Sequence, residues 1–463
     1  MTVEILDAAW SSSPPPPRPG PFARLRGTVL RDTNVVVASV VLNNLMRAVS
    51  SMILTRLLVP EVFGISGVIA SLQFTVALAS DLGFQAFVVR QKDGERRQFL
   101  DTVWTVSFLR SLLLAAVLAI LALPVSHALG RPELAPLIAA SGLVFAVEGT
   151  ASISLLSALR RGQILRLSTL EIVTLAVQIA ASAVLAWAWG NYWAILGGML
   201  VGAALKSLLS YTMFGQGPHR PTLERKTLRE LWSFARYVTG SSIIYLLVTQ
   251  CDKLVLAKVL PLDHFGFYVL AGNLASAPLG FAANYASRVL YPAYARLWNE
   301  GAADIRAQFY ARRRVPSLLY ALATGGIIGS APLIIGVLYD PRYADAALYL
   351  QILCISSLLA LPSNAANESL TATGRVRATL EASIAKLVWL ASAGTAGYLA
   401  WGQLGLVLAV GLMEGSGMGF KWLRMRQAGL LDLREEGLFL AAGAVGTGIG
   451  FGADALLAPF LLR

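Results

Sequence analysis

Apolar runs of about twenty residues recur along the chain from near residue 33 to its end, and each is long enough to cross the hydrocarbon core of a bilayer. A span in lipid must satisfy its own backbone hydrogen bonds, so runs of this length are membrane helices. The composition agrees, because 56% of the residues are hydrophobic and only 14% charged, with a mean hydropathy of +0.63. That is too little charge to cover a soluble domain. The fold class read from this pattern is an all-α polytopic membrane protein.

Thirteen spans are expected, near 33–57, 62–89, 100–124, 133–158, 167–189, 192–214, 231–258, 264–294, 315–339, 344–368, 378–401, 403–423 and 436–456. The last carries Asp454 near its end and precedes a short apolar tail with Pro459, an incomplete fourteenth element if it inserts. Residues 1–32 differ. Pro14 to Pro17 follow three serines, and no apolar core follows a basic start, so this stretch reads as a disordered cytoplasmic tail rather than a signal peptide.

The net charge of +12 does not point to nucleic acid, because the basic residues lie between apolar segments. With the N-terminus in the cytoplasm, 27 Lys and Arg fall on the inner side and five (Arg56, Arg131, Lys258, Arg342 and Arg463) on the outer side. The positive-inside rule is then obeyed in every loop pair. The expected location is a bacterial inner membrane. Cys251 and Cys354 sit inside apolar segments and read as small buried side chains. His127, His219 and His264 are scattered over separate loops, so neither a metal site nor any cofactor is expected.

An internal duplication is visible. Arg56 to Gly64 matches Lys258 to Gly266 at an offset of 202, pairing Glu61 with Asp263, Phe63 with Phe265 and Gly64 with Gly266. Gly162 matches Gly374, and Trp189-Gly190 matches Trp401-Gly402, both at an offset of 212. Six spans separate the copies, so both halves cross in the same direction, related by an axis along the membrane normal. The expected organisation is a six-helix lobe at 33–214, a cytoplasmic linker at 215–230, a second six-helix lobe at 231–425 and an extra helical region at 426–463.

Arg-Leu-Leu-Val-Pro-Glu-Val-Phe-Gly at 56–64, followed by Ala-Ser-Asp-Leu-Gly-Phe at 79–84, resembles the start of the polysaccharide transporter branch of the multidrug/oligosaccharidyl-lipid/polysaccharide exporter superfamily. Asp252-Lys253 before 258–266 and Tyr268 is similar to the start of that family's second half. Ser157 to Arg161 and Ala372 to Arg375 resemble its fourth- and tenth-span endings. The resemblance covers roughly residues 30–425. It implies alternating access around a cavity lined mainly by spans one, two, seven and eight.

Charges at membrane depth are functional candidates because each is costly unless paired or facing a wet cavity. The basic ones are Arg47, Arg110, Lys206, Lys253, Arg288 and Lys386, and the acidic ones Asp81, Glu148, Glu171, Asp252 and Glu414. Arg47 lies mid-span beside Asn43 and Asn44, and a guanidinium suits a pyrophosphate head group. The expected substrate-binding set is Arg47, Asn43, Asn44, Lys253, Arg288 and Arg110, with Asp81 and Asp252 as candidates for a coupling proton or sodium ion. Snorkelling accounts equally well for Arg110, Lys206 and Arg288, which lie near cytoplasmic ends. Interhelical pairing accounts equally well for Glu148, Glu171 and Glu414.

These readings lead to a flippase for undecaprenyl-pyrophosphate-linked oligosaccharides, working among membrane lipids alongside a polysaccharide polymerase and other assembly proteins. No G-x-x-x-x-G-K-[ST] phosphate loop occurs, which argues against an ATP-driven exporter. Short outer loops argue against a polymerase or ligase, and no enzymatic role is expected. The alternatives are a cation-coupled multidrug antiporter on the same fold and a peptidoglycan-precursor flippase.

Overall fold

A computed structural model of the chain describes residues 32–91, 95–215, 217–301 and 304–461. The expected tail therefore lies outside the described residues, except for Asp32, which opens the first helix. The described residues form helices and no strand. In chain order these are α1 (Asp32–Leu57), α2 (Pro60–Ala79), α3 (Phe84–Arg90), α4 (Arg97–Ala128), α5 (Ala135–Gly149), α6 (Ser154–Arg160), α7 (Ile164–Trp189) and α8 (Tyr192–Phe214). They continue with α9 (Arg225–Val259), α10 (Leu262–Tyr285), α11 (Tyr291–Asn299), α12 (Ile305–Gly329), α13 (Ala331–Leu338), α14 (Ala346–Ala372), α15 (Arg377–Gly411), α16 (Met413–Gln427) and α17 (Leu433–Leu461).

Among the described residues, nine helical segments are long and apolar enough to cross a membrane, or ten if the bent pair α12–α13 is one span. Arg377–Gln427 is one of the nine, and its 51 residues would reach more than twice the ~30 Å of hydrocarbon if straight. It doubles back instead at Trp401 and Gly402, whose dihedrals leave the helical region, and so contains both of the spans expected at 378–401 and 403–423. The segments α1 and α9 are not among the nine. Helix α9 carries Arg225, Lys226, Arg229, Glu230 and Arg236 in its first turns and Asp252, Lys253 and Lys258 in its last.

Several expected spans are broken. The run at 62–89 stops at Ala79 and resumes at Phe84, and the run at 133–158 is interrupted after Gly149. The run at 264–294 passes through a π-helical turn at Ala286–Leu290. The run at 315–339 bends by 67° around Ser330, where Pro332 cannot continue the preceding ladder. The stretch between the spans expected at 264–294 and 315–339 is mostly helix, since α11 runs to Asn299 and α12 starts at Ile305. The expected linker is shorter too, because residues 225–230 already belong to α9.

Helix α1 packs on α7, α4 on α5, α7 on α8, and α10 on both α2 and α14. The largest buried cluster joins Leu58, Val68 and Ile138 to Phe265, Leu270, Tyr343 and Leu350. The C-terminal helix α17 lies along α12, where Gly325 and Gly329 meet the backbones of Gly443, Thr447 and Gly450. Small residues on both faces let the two backbones approach closely, as membrane helix pairs commonly do.

Candidate functional site

Asp81 sits in the break between α2 and α3. Gly83 adopts φ 65° there, a left-handed conformation that glycine accepts without strain. Its N–H donates to one Asp81 carboxylate oxygen at 2.9 Å, and the Ser242 hydroxyl of α9 donates to the other at 3.1 Å. Thr239 of α9 donates to the Asp81 carbonyl at 2.7 Å. Arg110 of α4 donates to the carbonyls of Ala77 and Ser80 at 2.6 and 2.7 Å. These are carbonyls a helix end leaves unpaired, so Arg110 anchors the end of α2 beside Asp81.

A cavity of about 940 Å³ opens next to this break. Its lining includes Asp81, Phe84, Ser107, Ser111, Glu148 and Lys206. A second cavity, of about 470 Å³, lies between α1, α5, α7 and α8 and includes Asn43, Asn44, Arg47, Glu148, Glu171 and Lys206 in its lining. Glu148 and Lys206 line both cavities, and their charged groups are 3.7 Å apart. The structure thus brings Arg47, Asn43 and Asn44 to one cleft and places Asp81 in the adjoining chamber.

The other expected residues lie elsewhere. Lys253 donates to the Thr249 carbonyl of its own helix at 2.9 Å. Asp252 is buried and accepts from the Tyr268 phenol at 2.8 Å. Its second oxygen has no hydrogen-bond partner among the described residues. Arg288 is exposed on the π-helical turn. None of the three lines either cavity.

Sequence reasoning did not select Glu148, Glu171 or Lys206 for the site. Their signal was present, since all three are charges inside apolar runs. They were passed over because the cavity was expected around spans one, two, seven and eight, whereas these residues belong to α5, α7 and α8. Lys386 and Glu414, by contrast, form a partly buried pair at 2.5 Å. Ser363 donates to Glu414 at 2.6 Å and accepts from Lys421 at 2.9 Å, so this network ties α14, α15 and α16 together.

Ser152 also lines the larger cavity; its Oγ meets His219 Nε2 at 2.9 Å, and His219 Nδ1 meets Asp101 Oδ1 at 2.9 Å. Burial pushes the His219 imidazole below its ordinary pKa of 6.5, and the Asp101 carboxylate offsets this only in part. No group of three His, Cys, Asp or Glu among the described residues is arranged to hold a metal ion.

Helical breaks, membrane-depth charges and paired cavities together define a multi-span membrane transporter, and the fold has known counterparts. The chain superposes on the lipid II flippase MurJ in an inward closed conformation with a TM-score of 0.70, covering 92% of each chain at 13% identity. It also superposes on an inward-facing multidrug resistance MATE family transporter of the MOP superfamily, with a TM-score of 0.59, 15% identity and coverage of 84% of this chain and 95% of that one. At such identities the likeness is one of fold. A family model described as polysaccharide biosynthesis protein matches residues 53–348, and the chain belongs to that family. It is 26% identical over 369 residues to the lipopolysaccharide biosynthesis protein WzxC of Escherichia coli (strain K12), over 78% of this chain and 73% of that protein.

Proposed function

We propose that the chain moves lipid-linked oligosaccharide repeat units, carried on undecaprenyl pyrophosphate, from the cytoplasmic to the periplasmic leaflet by alternating access. The observation that carries this reading is the cleft holding Arg47, Asn43 and Asn44 at membrane depth, joined through Lys206 to a cavity of about 940 Å³. A guanidinium and an ammonium suit the diphosphate. The larger chamber, with its serines and carboxylates, suits the hydroxyl groups of a glycan. The polyprenyl tail stays in lipid.

In the orientation set by the loop charges, the N-terminus is cytoplasmic and the larger cavity lies toward the cytoplasmic side, where repeat units are loaded. Two six-helix lobes, 33–214 and 231–425, would rock about the α2–α10 contact. Moving two negative charges outward against an inside-negative potential of 100 mV gains on the order of 4–5 kcal/mol without nucleotide hydrolysis.

A second reading has one observation in its favour. The larger cavity presents Asp81 and Glu148 against Lys206 alone, a balance that suits a cationic cargo and hence a multidrug antiporter. Deleting the gene in its own host separates the two. Loss of surface polysaccharide, with repeat units accumulating in the cytoplasmic leaflet, is the expected result, and Arg47→Ala at normal membrane abundance should reproduce it. Intact polysaccharide with raised sensitivity to cationic drugs would overturn the flippase reading.

A further inference from the structure

Lys206 and Glu148 stand where the two cavities meet, and their pairing is loose. The ammonium and carboxylate are 3.7 Å apart, with 41% and 43% of their side-chain surface exposed. Lys386 and Glu414 show the contrast, at 2.5 Å with 15% and 14% exposed. A half-solvated pair at the longer distance is weak and easily exchanged. Arg47 faces the same cleft and has no ion pair or side-chain hydrogen bond among the described residues. Glu171, on α7, completes the charged lining.

With two cations and two carboxylates, the cleft is formally neutral while empty. A diphosphate group entering it would meet Arg47 and Lys206, but also the repulsion of a carboxylate already held by Lys206. Glu148 has somewhere else to go, because it lines the larger chamber as well.

We propose that Glu148 is a built-in stand-in for the substrate's phosphates: it occupies the ammonium of Lys206 in the empty cleft and is displaced into the larger chamber when a lipid-borne diphosphate binds between Lys206 and Arg47. Lys206 is then a head-group ligand and Glu148 its internal competitor. The inference rests on the flippase reading and adds a ligand and a competitor to the cleft.

A structural role and a competing role give opposite signs for Glu148. If the pair merely braces α5 against α8, neutralising either partner harms binding. If Glu148 competes, Lys206→Gln weakens binding and Glu148→Gln strengthens it. The test uses the full chain in nanodiscs, with undecaprenyl pyrophosphate N-acetylglucosamine as the probe. Lys206→Gln should raise Kd about tenfold, and Glu148→Gln should lower it by about threefold or more. In the double variant the Glu148 effect should vanish, since its target is gone. Glu148→Ala serves as a second neutral variant and should also tighten binding. Inorganic pyrophosphate, as competitor, should follow the same order across the variants, which separates the phosphate contribution from that of the tail. Undecaprenol, which has the tail without the diphosphate, should bind all variants alike.

Unchanged or weaker probe binding by both folded Glu148 variants would overturn the proposal, as would an equal gain for undecaprenol. A folded wild-type chain that does not bind the probe at all would instead remove the flippase reading beneath it.

Discussion

Gly64 and Gly266 pack reciprocally. Gly64 of α2 lies against the backbone of Leu262, and Gly266 of α10 lies against the backbone of Pro60. Leu262 is the counterpart of Pro60 at the same offset of 202 that relates the two glycines. The two matching segments therefore pack on each other reciprocally.

This contact leaves no room for a side chain. A methyl group on Gly64 would sit 1.9 Å from the Leu262 carbonyl oxygen, and one on Gly266 would sit 2.2 Å from that of Pro60. Both obstacles are backbone, so no rotamer relieves them. Gly64→Ala and Gly266→Ala should each destabilise the protein by about 1–3 kcal/mol or more. The double variant should cost less than the sum, because one separation of α2 from α10 relieves both clashes. Thermal unfolding in detergent measures this, and additive losses would show that the contacts are independent.

The recurring apolar runs make the fold class legible, and the Gly64–Gly266, Gly162–Gly374 and Gly190–Gly402 matches are the sequence signal read as a repeat. The second and third of these pairs all adopt positive φ, so the matches mark shared turns. The breaks are harder to read, because the stop after Ala79 depends on Arg110, Thr239 and Ser242 arriving from elsewhere in the chain. The same holds for the site. Each charge in the Arg47 cleft is visible in the sequence as a charge in an apolar run, but which of them share a cleft depends on how α1, α5, α7 and α8 are rotated. Arg313 shows the same gap, since it falls between the spans expected at 264–294 and 315–339 and is instead buried within α12.

Arg313 and Glu436 form a salt bridge with side-chain exposures of 2% and 1%. Tyr310 donates to Glu436 at 2.8 Å, and the rings of Tyr310 and Phe439 lie 4.5 and 5.1 Å from the guanidinium carbon. Glu436→Gln leaves Arg313 without a countercharge and should cost about 3–5 kcal/mol. Replacing both residues by apolar ones of similar volume should recover most of that loss. If the single variant melts like wild type, the pair is not what fastens α17 to α12.

The His219 bridge to Asp101 and Ser152 predicts a pH dependence. A folded-state pKa below the ordinary 6.5 means that the folded chain binds this proton less readily than the unfolded chain. The stability is therefore present above about pH 6.5 and declines as the pH falls through that value toward the folded pKa. Melting temperatures at pH 8 and pH 5.5 measure the decline. His219→Gln should cost about 1–3 kcal/mol of stability at pH 8 for a buried hydrogen-bond partner lost, seen as a lower melting temperature, and should flatten the pH dependence. An equally steep dependence in the variant would place the titrating group elsewhere.

Two arginines make matching contacts to the ends of α9 and α1, and their removal should shift the conformation. Arg131, between α4 and α5, donates to the carbonyls of Ala257 and Leu260 at the end of α9. Arg342, between α13 and α14, donates to the carbonyls of Thr55 and Arg56 at the end of α1, both at 3.4 Å. Each caps a helix end, where a positive charge also meets the negative end of the helix dipole. In the proposed orientation both belong to the outer side, and the prediction is that they hold that side shut while the larger cavity faces the cytoplasm. Arg342 is largely exposed and also pairs with Asp340 at 2.8 Å, so each cap alone is weak in solvent. Ser51 of α1 is buried one turn before Thr55, 3.2 Å from the Tyr339 hydroxyl, and serves as the reporter of opening. With Cys251 and Cys354 replaced, a cysteine at position 51 should react slowly with an impermeant maleimide added from outside. Arg131→Ala with Arg342→Ala should raise that rate roughly tenfold, the equivalent of about 1.4 kcal/mol, while each single variant gives a smaller rise. An unchanged rate in the double variant would mean that closure rests on the α2–α10 packing alone.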